Sequence, residues 1–238
     1  IEIINRAVIH TLDFGRINEH PFFCTCGIGF DAYVSQKFAE AGKRGFKTYV
    51  ENTLFSGFSY KPQTYTITNH GETTTCPAFL IACANASQYG NDALIAPYAS
   101  MKDGLLDVVI MKPFSTIESP QVILQLFAGT LPESSHVRTL RTDHLHILRE
   151  EDGPAHFDGD AFMTGKEIDI RLVRQGLNVV VNESKRRFRL TPTSVLGARL
   201  FPRLFHEWIR DPERFLKEAH NGFKRSGKAW LERFTTGR

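Results

Sequence analysis

The sequence predicts a mainly β, α+β fold: an antiparallel sandwich or barrel with helical insertions and a helical C-terminal tail. Three observations predict it. Seven short segments, β-branched or apolar and mostly bounded by Gly, Pro, Asn or Asp, follow one another from residue 22 to residue 181. Two longer stretches of helical character interrupt them. Past Asn182 the composition turns basic, and apolar residues recur at helical spacing.

Taken in order, Ile1–Leu12 carries apolar residues at 1, 4, 8 and 12, a helical spacing. No capping residue precedes it, so residues 1–20 read as the end of a helix and a linker from a preceding domain. The strand segments are Phe22–Ile28, Gln63–Thr68, Ala78–Ala84, Leu105–Met111, His144–Leu148, Ile168–Val173 and Leu177–Val181. Ala32–Tyr60, broken near Gly42–Gly45, and Thr116–Ala128 read as helices. Residues 21–182 thus make one β-rich domain with helical insertions. Residues 183–238 read as a basic amphipathic tail. There Phe201, Leu204, Phe205, Trp208 and Ile209 share one helical face. Asp211-Pro212 starts a further helix, with Asp as N-cap and Pro at the first helical position. On it Phe215, Phe223, Trp230 and Phe234 lie opposite Lys217, Lys224, Arg225 and Lys228. Gly222 and Gly227 weaken that helix by about 1 kcal/mol each relative to Ala.

The chain of 238 residues is 42% hydrophobic and 23% charged, enough for a sizeable core. No window approaches the ~18 apolar residues of a membrane-spanning helix. No basic-then-apolar leader follows Ile1, and four cysteines do not make a disulfide scaffold, which points to a reducing cytoplasm. The net charge of +3 hides a split: residues 1–182 carry a net −5 and residues 183–238 a net +8. An anionic partner is therefore expected at the tail only. Nucleic acid would satisfy that charge, but the interleaved aromatics argue for a membrane surface instead.

Three segments can carry chemistry. Asn85–Val109 holds Gly90, Asn91 and Asp92 in a turn, then Ala96-Pro97, then Asp103-Gly104-Leu105-Leu106-Asp107 leading into a strand. A carboxylate beside a glycine in a tight loop, with carbonyls converging nearby, suits a hard cation such as Mg²⁺. The same residues also make an ordinary hairpin turn. His156-Phe157-Asp158-Gly159-Asp160 places two carboxylates around a glycine. It is either a solvated turn or a general base beside a phosphate–metal contact. Cys26-Gly27-Ile28-Gly29-Phe30-Asp31 is either a close backbone approach to a ligand or a strand-to-helix turn with Asp31 near the helix start. Cys24 and Cys26 fall on one face of a strand with no matching second pair, so buried thiols are expected there, not zinc.

Taken together, GIGFDA (27–32), the run from Asn85 through IAP to DGLLDV (103–108), and FDGD (157–160) resemble one family. They are similar to the C-terminal domain of the diacylglycerol kinase catalytic-domain superfamily, which includes bacterial lipid kinases and sphingosine kinases. The resemblance spans about residues 1–182. It implies an antiparallel β-sandwich C-terminal domain of the NAD kinase/diacylglycerol kinase-like fold. It also implies a two-domain enzyme whose N-terminal domain carries a Gly-Gly-Asp-Gly-Thr phosphate loop, a motif this sequence does not contain.

By that resemblance Asp103 matches the Mg²⁺-binding aspartate, with Ser100 and Leu105 adding backbone carbonyls. Asp158 and Gly159 fall on the nucleotide-contacting turn. Asp160, where the family usually has Glu, would take the proton of a lipid hydroxyl attacking the γ-phosphate of ATP. The family's glycine run after the Asn is altered here to Gly90-Asn91-Asp92. Phe46, Tyr49, Val50, Phe55 and Phe58 line either an apolar slot for the lipid alcohol or an ordinary core. The expected setting is cytoplasmic and peripheral at the inner membrane face, with a homodimer open. The tail either lies on the membrane or packs as a helical pair. NAD kinase and a non-catalytic binding module are the rival readings.

Overall fold

The computed structural model describes residues 1–41, 60–90, 93–115 and 118–182. Helix α1 (Glu2–Arg6) leads to strands β1 (Ile9–Ile17), β2 (His20–Phe22) and β3 (Thr25–Gly29), then helix α2 (Phe30–Ala41). Four strands follow: β4 (Gln63–Asn69), β5 (Glu72–Ala78), β6 (Leu80–Ala84) and β7 (Leu106–Met111). Helix α3 (Ser119–Ala128) and a 3₁₀ turn (Leu131–Glu133) precede β8 (Val137–Thr142) and β9 (His144–Arg149). The last strands are β10 (Gly153–Phe157), β11 (Asp160–Thr164) and β12 (Glu167–Val180).

These strands form two six-stranded sheets, ordered β2-β1-β12-β9-β4-β5 and β11-β10-β3-β6-β7-β8. Every pairing is antiparallel. The sheets face each other across a core that includes Ile17, Phe22, Ile28, Tyr65, Ile81 and Ile147. The second sheet is also covered on its outer face, where Phe30 and Val34 of α2 and Val122 of α3 pack with Leu80, Ala82 and Val109. All five residues of β6 (LIACA) are consequently buried, with Ile81 and Cys83 turned to one core and Leu80, Ala82 and Ala84 to the other. That is why its sequence runs apolar without alternation.

The expected sandwich is present, with corrections at its margins. The helix expected over Ile1–Leu12 ends at Arg6, where Ala7 takes a left-handed φ of 49°. Ile9–Ile17 is instead a strand, paired with β12 along its length. Its core face ends in Asp13, Gly15 and Ile17, so neither a helical nor an alternating apolar pattern announces it. The sandwich therefore begins at Ile9 and not at residue 21. Phe22–Ile28 divides at Phe23–Cys24 into β2 and β3, which belong to different sheets. Cys24 is consequently exposed while Cys26 is buried opposite Cys83, and all four cysteines are free. Ile168–Val173 and Leu177–Val181 fuse into β12, which bends at Gln175 with φ 50°. Most of the unanticipated strands, β5, β8 and β11, are sheet edges with polar sequences such as ETTTCPA and VRTLRT. Residues 42–59, 91–92, 116–117 and 183–238 lie outside the described residues, and with them the apolar-slot residues Phe46, Tyr49, Val50, Phe55 and Phe58, Asn91, Asp92, the start of the helix expected at Thr116, and the tail.

Candidate functional site

Antiparallel order puts the start of β3, the end of β6, the start of β7, the end of β10 and the start of β11 at one end of the second sheet. The loop 85–105 and the turn 157–160 therefore share that end. Local chemistry sets each of them. Phe157 pairs with Asp160, leaving Asp158-Gly159 as a two-residue hairpin loop. Both loop residues have positive φ, 47° and 91°, the requirement of a type I′ turn. Around Asp103, Gly104 takes φ 74°, and Asp103 Oδ1 accepts the Leu105 N–H at 3.2 Å.

Asp103 is the centre of a small charged group. Its second oxygen pairs with the Arg141 guanidinium, which also lies 3.5 Å from Asp107. Burial pushes the Asp107 carboxyl above its ordinary range; Arg141 pulls it down and Asp103 pushes it further up. Asp107 Oδ2 is buried without a partner among the described residues. Ser100 Oγ accepts the Lys102 N–H at 3.4 Å, bracing the same turn. No group of three or more His, Cys, Asp or Glu able to hold a metal occurs among the described residues. A cation here would draw on one carboxylate and on carbonyls, a donor set of hard oxygens that Mg²⁺ accepts. Asp107 Oδ2 is a further acceptor, unpartnered among the described residues, on the same Arg141 cluster, so the oxygen donors present are of the kind that ion takes.

Asp158 and Asp160 are set apart by the hairpin. The Asp158 carboxylate turns back onto the chain, accepting the N–H groups of Phe23 and Cys24 at 2.7 Å each and of Thr25 at 3.0 Å. Its own N–H donates to the Thr25 carbonyl at 2.8 Å. Asp158 is thus a clasp between β10 and the crossover from β2 to β3. Asp160 is exposed at the head of β11. Beside the hairpin, His20 stacks on Phe157 at 4.8 Å and 8°. Gly159 has nothing within 4 Å of where a Cβ would stand, which leaves open space over the turn.

The two acid-bearing segments are joined through residues whose role the sequence did not announce. Asn85, fully buried, donates to the Phe23 carbonyl at 2.8 Å and to the Asp13 carbonyl at 3.0 Å. Asp13 is 2% exposed; it accepts from Gly104 N–H at 2.9 Å and from Gln175 N–H at 2.8 Å. Its own N–H donates to Met101 at 2.7 Å. A second buried group lies under α2. Asp31 Oδ2 accepts from Tyr89 Oη at 2.9 Å and lies 3.1 Å from His156 Nε2, tying all three singled-out segments together. The Gly27 position explains its glycine: a Cβ there would stand 2.3 Å from that Asp31 oxygen. The close approach is made by protein, not by a ligand. Asp31 sits in the first turn of α2, as the strand-to-helix reading expects. At the other end of the sandwich, Tyr33, Tyr60, Gln63 and Arg149 line a cavity of 320 Å³.

Residues 24–181 match the family described as YegS C-terminal NAD kinase beta sandwich-like domain. Among curated relatives, a "Probable lipid kinase YegS-like" protein of Shewanella frigidimarina is 28% identical over 168 residues, 70% of this chain and 54% of that protein. A "Putative lipid kinase YtlR" of Bacillus subtilis is 23% identical over 180 residues, 69% of this chain and 58% of that protein. The chain thus spans little more than half the length of these relatives. A crystal structure of a diacylglycerol kinase from Bacillus anthracis superposes with a TM-score of 0.53 at 17% identity, covering 77% of this chain and 58% of that one. Strands β3 to β12, the acid-bearing loop and the hairpin all fall within the matched region, and the chain belongs to the YegS C-terminal domain family, whose fold is that of the diacylglycerol kinase-like β-sandwich.

Proposed function

We propose that this chain is the second domain of an ATP-dependent lipid kinase, transferring the γ-phosphate of ATP to the hydroxyl of a lipid alcohol. One observation carries the reading. The Asp103 turn and the Asp160 hairpin share one end of the sandwich and are linked by Asp158, Phe23, Asn85 and Asp13. Phosphoryl transfer asks mainly for positioning and charge stabilisation, and a rigid end carrying two separated acids supplies the first. The names of the relatives point the same way.

In this reading Asp160 accepts the proton of the lipid hydroxyl. As that O–H bond breaks, the oxygen bonds to the γ-phosphorus and the bond from phosphorus to the ADP oxygen breaks. Asp103, with the carbonyls of Ser100 and Leu105, holds Mg²⁺, which supplies charge neutralisation for the phosphates. Asp158 keeps the hairpin in place, and the open space over Gly159 admits a phosphate oxygen. ATP is held largely by the partner domain. The basic tail meets anionic lipid, placing the enzyme in the cytoplasm at the inner membrane face.

The test is γ-phosphate transfer from labelled ATP to a panel of lipid alcohols in mixed micelles. It uses the longer chain that includes the nucleotide-binding domain, with Asp160→Asn and Asp103→Asn beside it. Labelled lipid that disappears in both variants supports the reading. Folded protein that labels no lipid with Mg²⁺ present refutes it in favour of a non-catalytic binding module.

A further inference from the structure

We propose that Asp13 is the positioning residue of the site: it holds the turn that carries Asp103 and sets it against the hairpin that carries Asp160. The inference rests on the cation-binding reading of Asp103. Asp13 is no candidate for the chemistry itself, being 2% exposed with both carboxylate oxygens accepting backbone N–H groups. What it does is join three chain segments that are remote in sequence. Oδ2 takes the N–H of Gly104, adjacent to Asp103, and the Asp13 N–H donates to Met101, so the turn is gripped on both sides. Oδ1 takes the N–H of Gln175, where β12 bends at φ 50°.

The register of β1 against β12 shifts between Leu12 and Phe14, and that bulge is what aims Asp13 between the turn and β12. Its carbonyl then accepts from Asn85, which also holds Phe23, and Phe23 donates to Asp158 in the hairpin. Nearby, Lys102 of the turn reaches His10 of β1 at 2.9 Å, a second tie between the same two segments. A buried acid that takes one N–H from a ligand-bearing turn and another from a neighbouring strand supports that turn from behind: it fixes orientation, and affinity falls when it is lost.

The experiment is Mn²⁺ binding to this chain, followed by the electron paramagnetic resonance of the free ion. Wild type, Asp13→Asn, Asp103→Asn and Ile147→Ala are compared. Asn keeps the volume of Asp13 but presents an N–H₂ to one of the two N–H donors. Ile147 lies in the central core, paired across its strands with Ile168 and Ile67, so its variant controls for lost stability alone. The expected result is Mn²⁺ affinity about tenfold weaker in Asp13→Asn, lost in Asp103→Asn, and unchanged in Ile147→Ala. Hydrogen exchange should accelerate at the Gly104 and Gln175 amides in Asp13→Asn only. Wild-type binding that is equally tight in Asp13→Asn, or equally weakened in Ile147→Ala, overturns the positioning role while leaving the cation reading intact. No binding by wild type overturns the cation reading, and the positioning proposal falls with it.

Discussion

Replacing Asp158 by glycine isolates the clasp. Glycine takes the 47° φ of this turn position without strain, so the substitution removes the carboxylate while sparing the hairpin's backbone. Three N–H groups then lose their acceptor, at 2.7, 2.7 and 3.0 Å. They are not equivalent. Thr25 is 3% exposed, so its N–H is left without water, and losing a charged acceptor there costs about 2 kcal/mol. Phe23 and Cys24 are exposed, and solvent replaces most of what they lose, leaving about 0.5 kcal/mol each. The total is about 3 kcal/mol of unfolding free energy, measured by urea denaturation with Asp160→Asn as the companion variant. That companion sits at an exposed hairpin position and should lose less than about 1 kcal/mol. Hydrogen exchange should single out the Thr25 amide in Asp158→Gly. A loss below about 1 kcal/mol, or Asp160→Asn matching it, would refute the division of the two acids into clasp and base.

Other outcomes follow from the same geometry. Arg149, 4% exposed, donates to the carbonyls of Gly153, Pro154, Thr164 and Gly165. Arg149→Met leaves those acceptors without donors and should cost about 3–5 kcal/mol in denaturant unfolding. A Gly27→Ala methyl stands 2.3 Å from Asp31 Oδ2 and 3.0 Å from the Ile81 carbonyl, so Asp31 must shift. That variant should lose about 1–3 kcal/mol and show a perturbed His156 imidazole resonance by NMR. Burial pushes the Asp169 carboxyl up, but hydrogen bonds from Arg171 and His144 outweigh it and hold the group below its ordinary 3.8. A depressed folded value means stability that is fully present above the unfolded value and lost as pH falls through the folded one. Asp169→Asn should therefore be less stable than wild type near neutral pH, with the difference shrinking as pH falls through the depressed folded value. Arg141→Gln removes the charge that pulls the Asp107 carboxyl down, so that carboxyl should titrate at higher pH in a carbon-13 NMR series.

The central strands were legible because their apolar content is a local property: Leu80–Ala84 and, apart from Asp107, Leu106–Met111 are buried, and Leu145 and Ile147 of β9 face the core. The two turns were legible for the same reason, since Asp-Gly at 103–104 and at 158–159 states its backbone preference within two residues. Edge strands escaped because one flank faces solvent and their threonines and arginines carry no inward pattern. The first strand escaped because apolar residues at 1, 4, 8 and 12 mimic a helix, while its pairing with β12 lies more than 150 positions away. The site divides along the same line. Sequence alone determined that Asp103 and Asp160 each stand beside a glycine turn. Only the tertiary structure brought the two turns to one end of a sheet and turned Asp158 onto backbone N–H groups. It alone set Asp13 between Gly104 and Gln175, 91 and 162 positions away. Turn chemistry is decided by neighbours along the chain, whereas the partner of a buried carboxylate is decided by which remote N–H groups packing leaves without water.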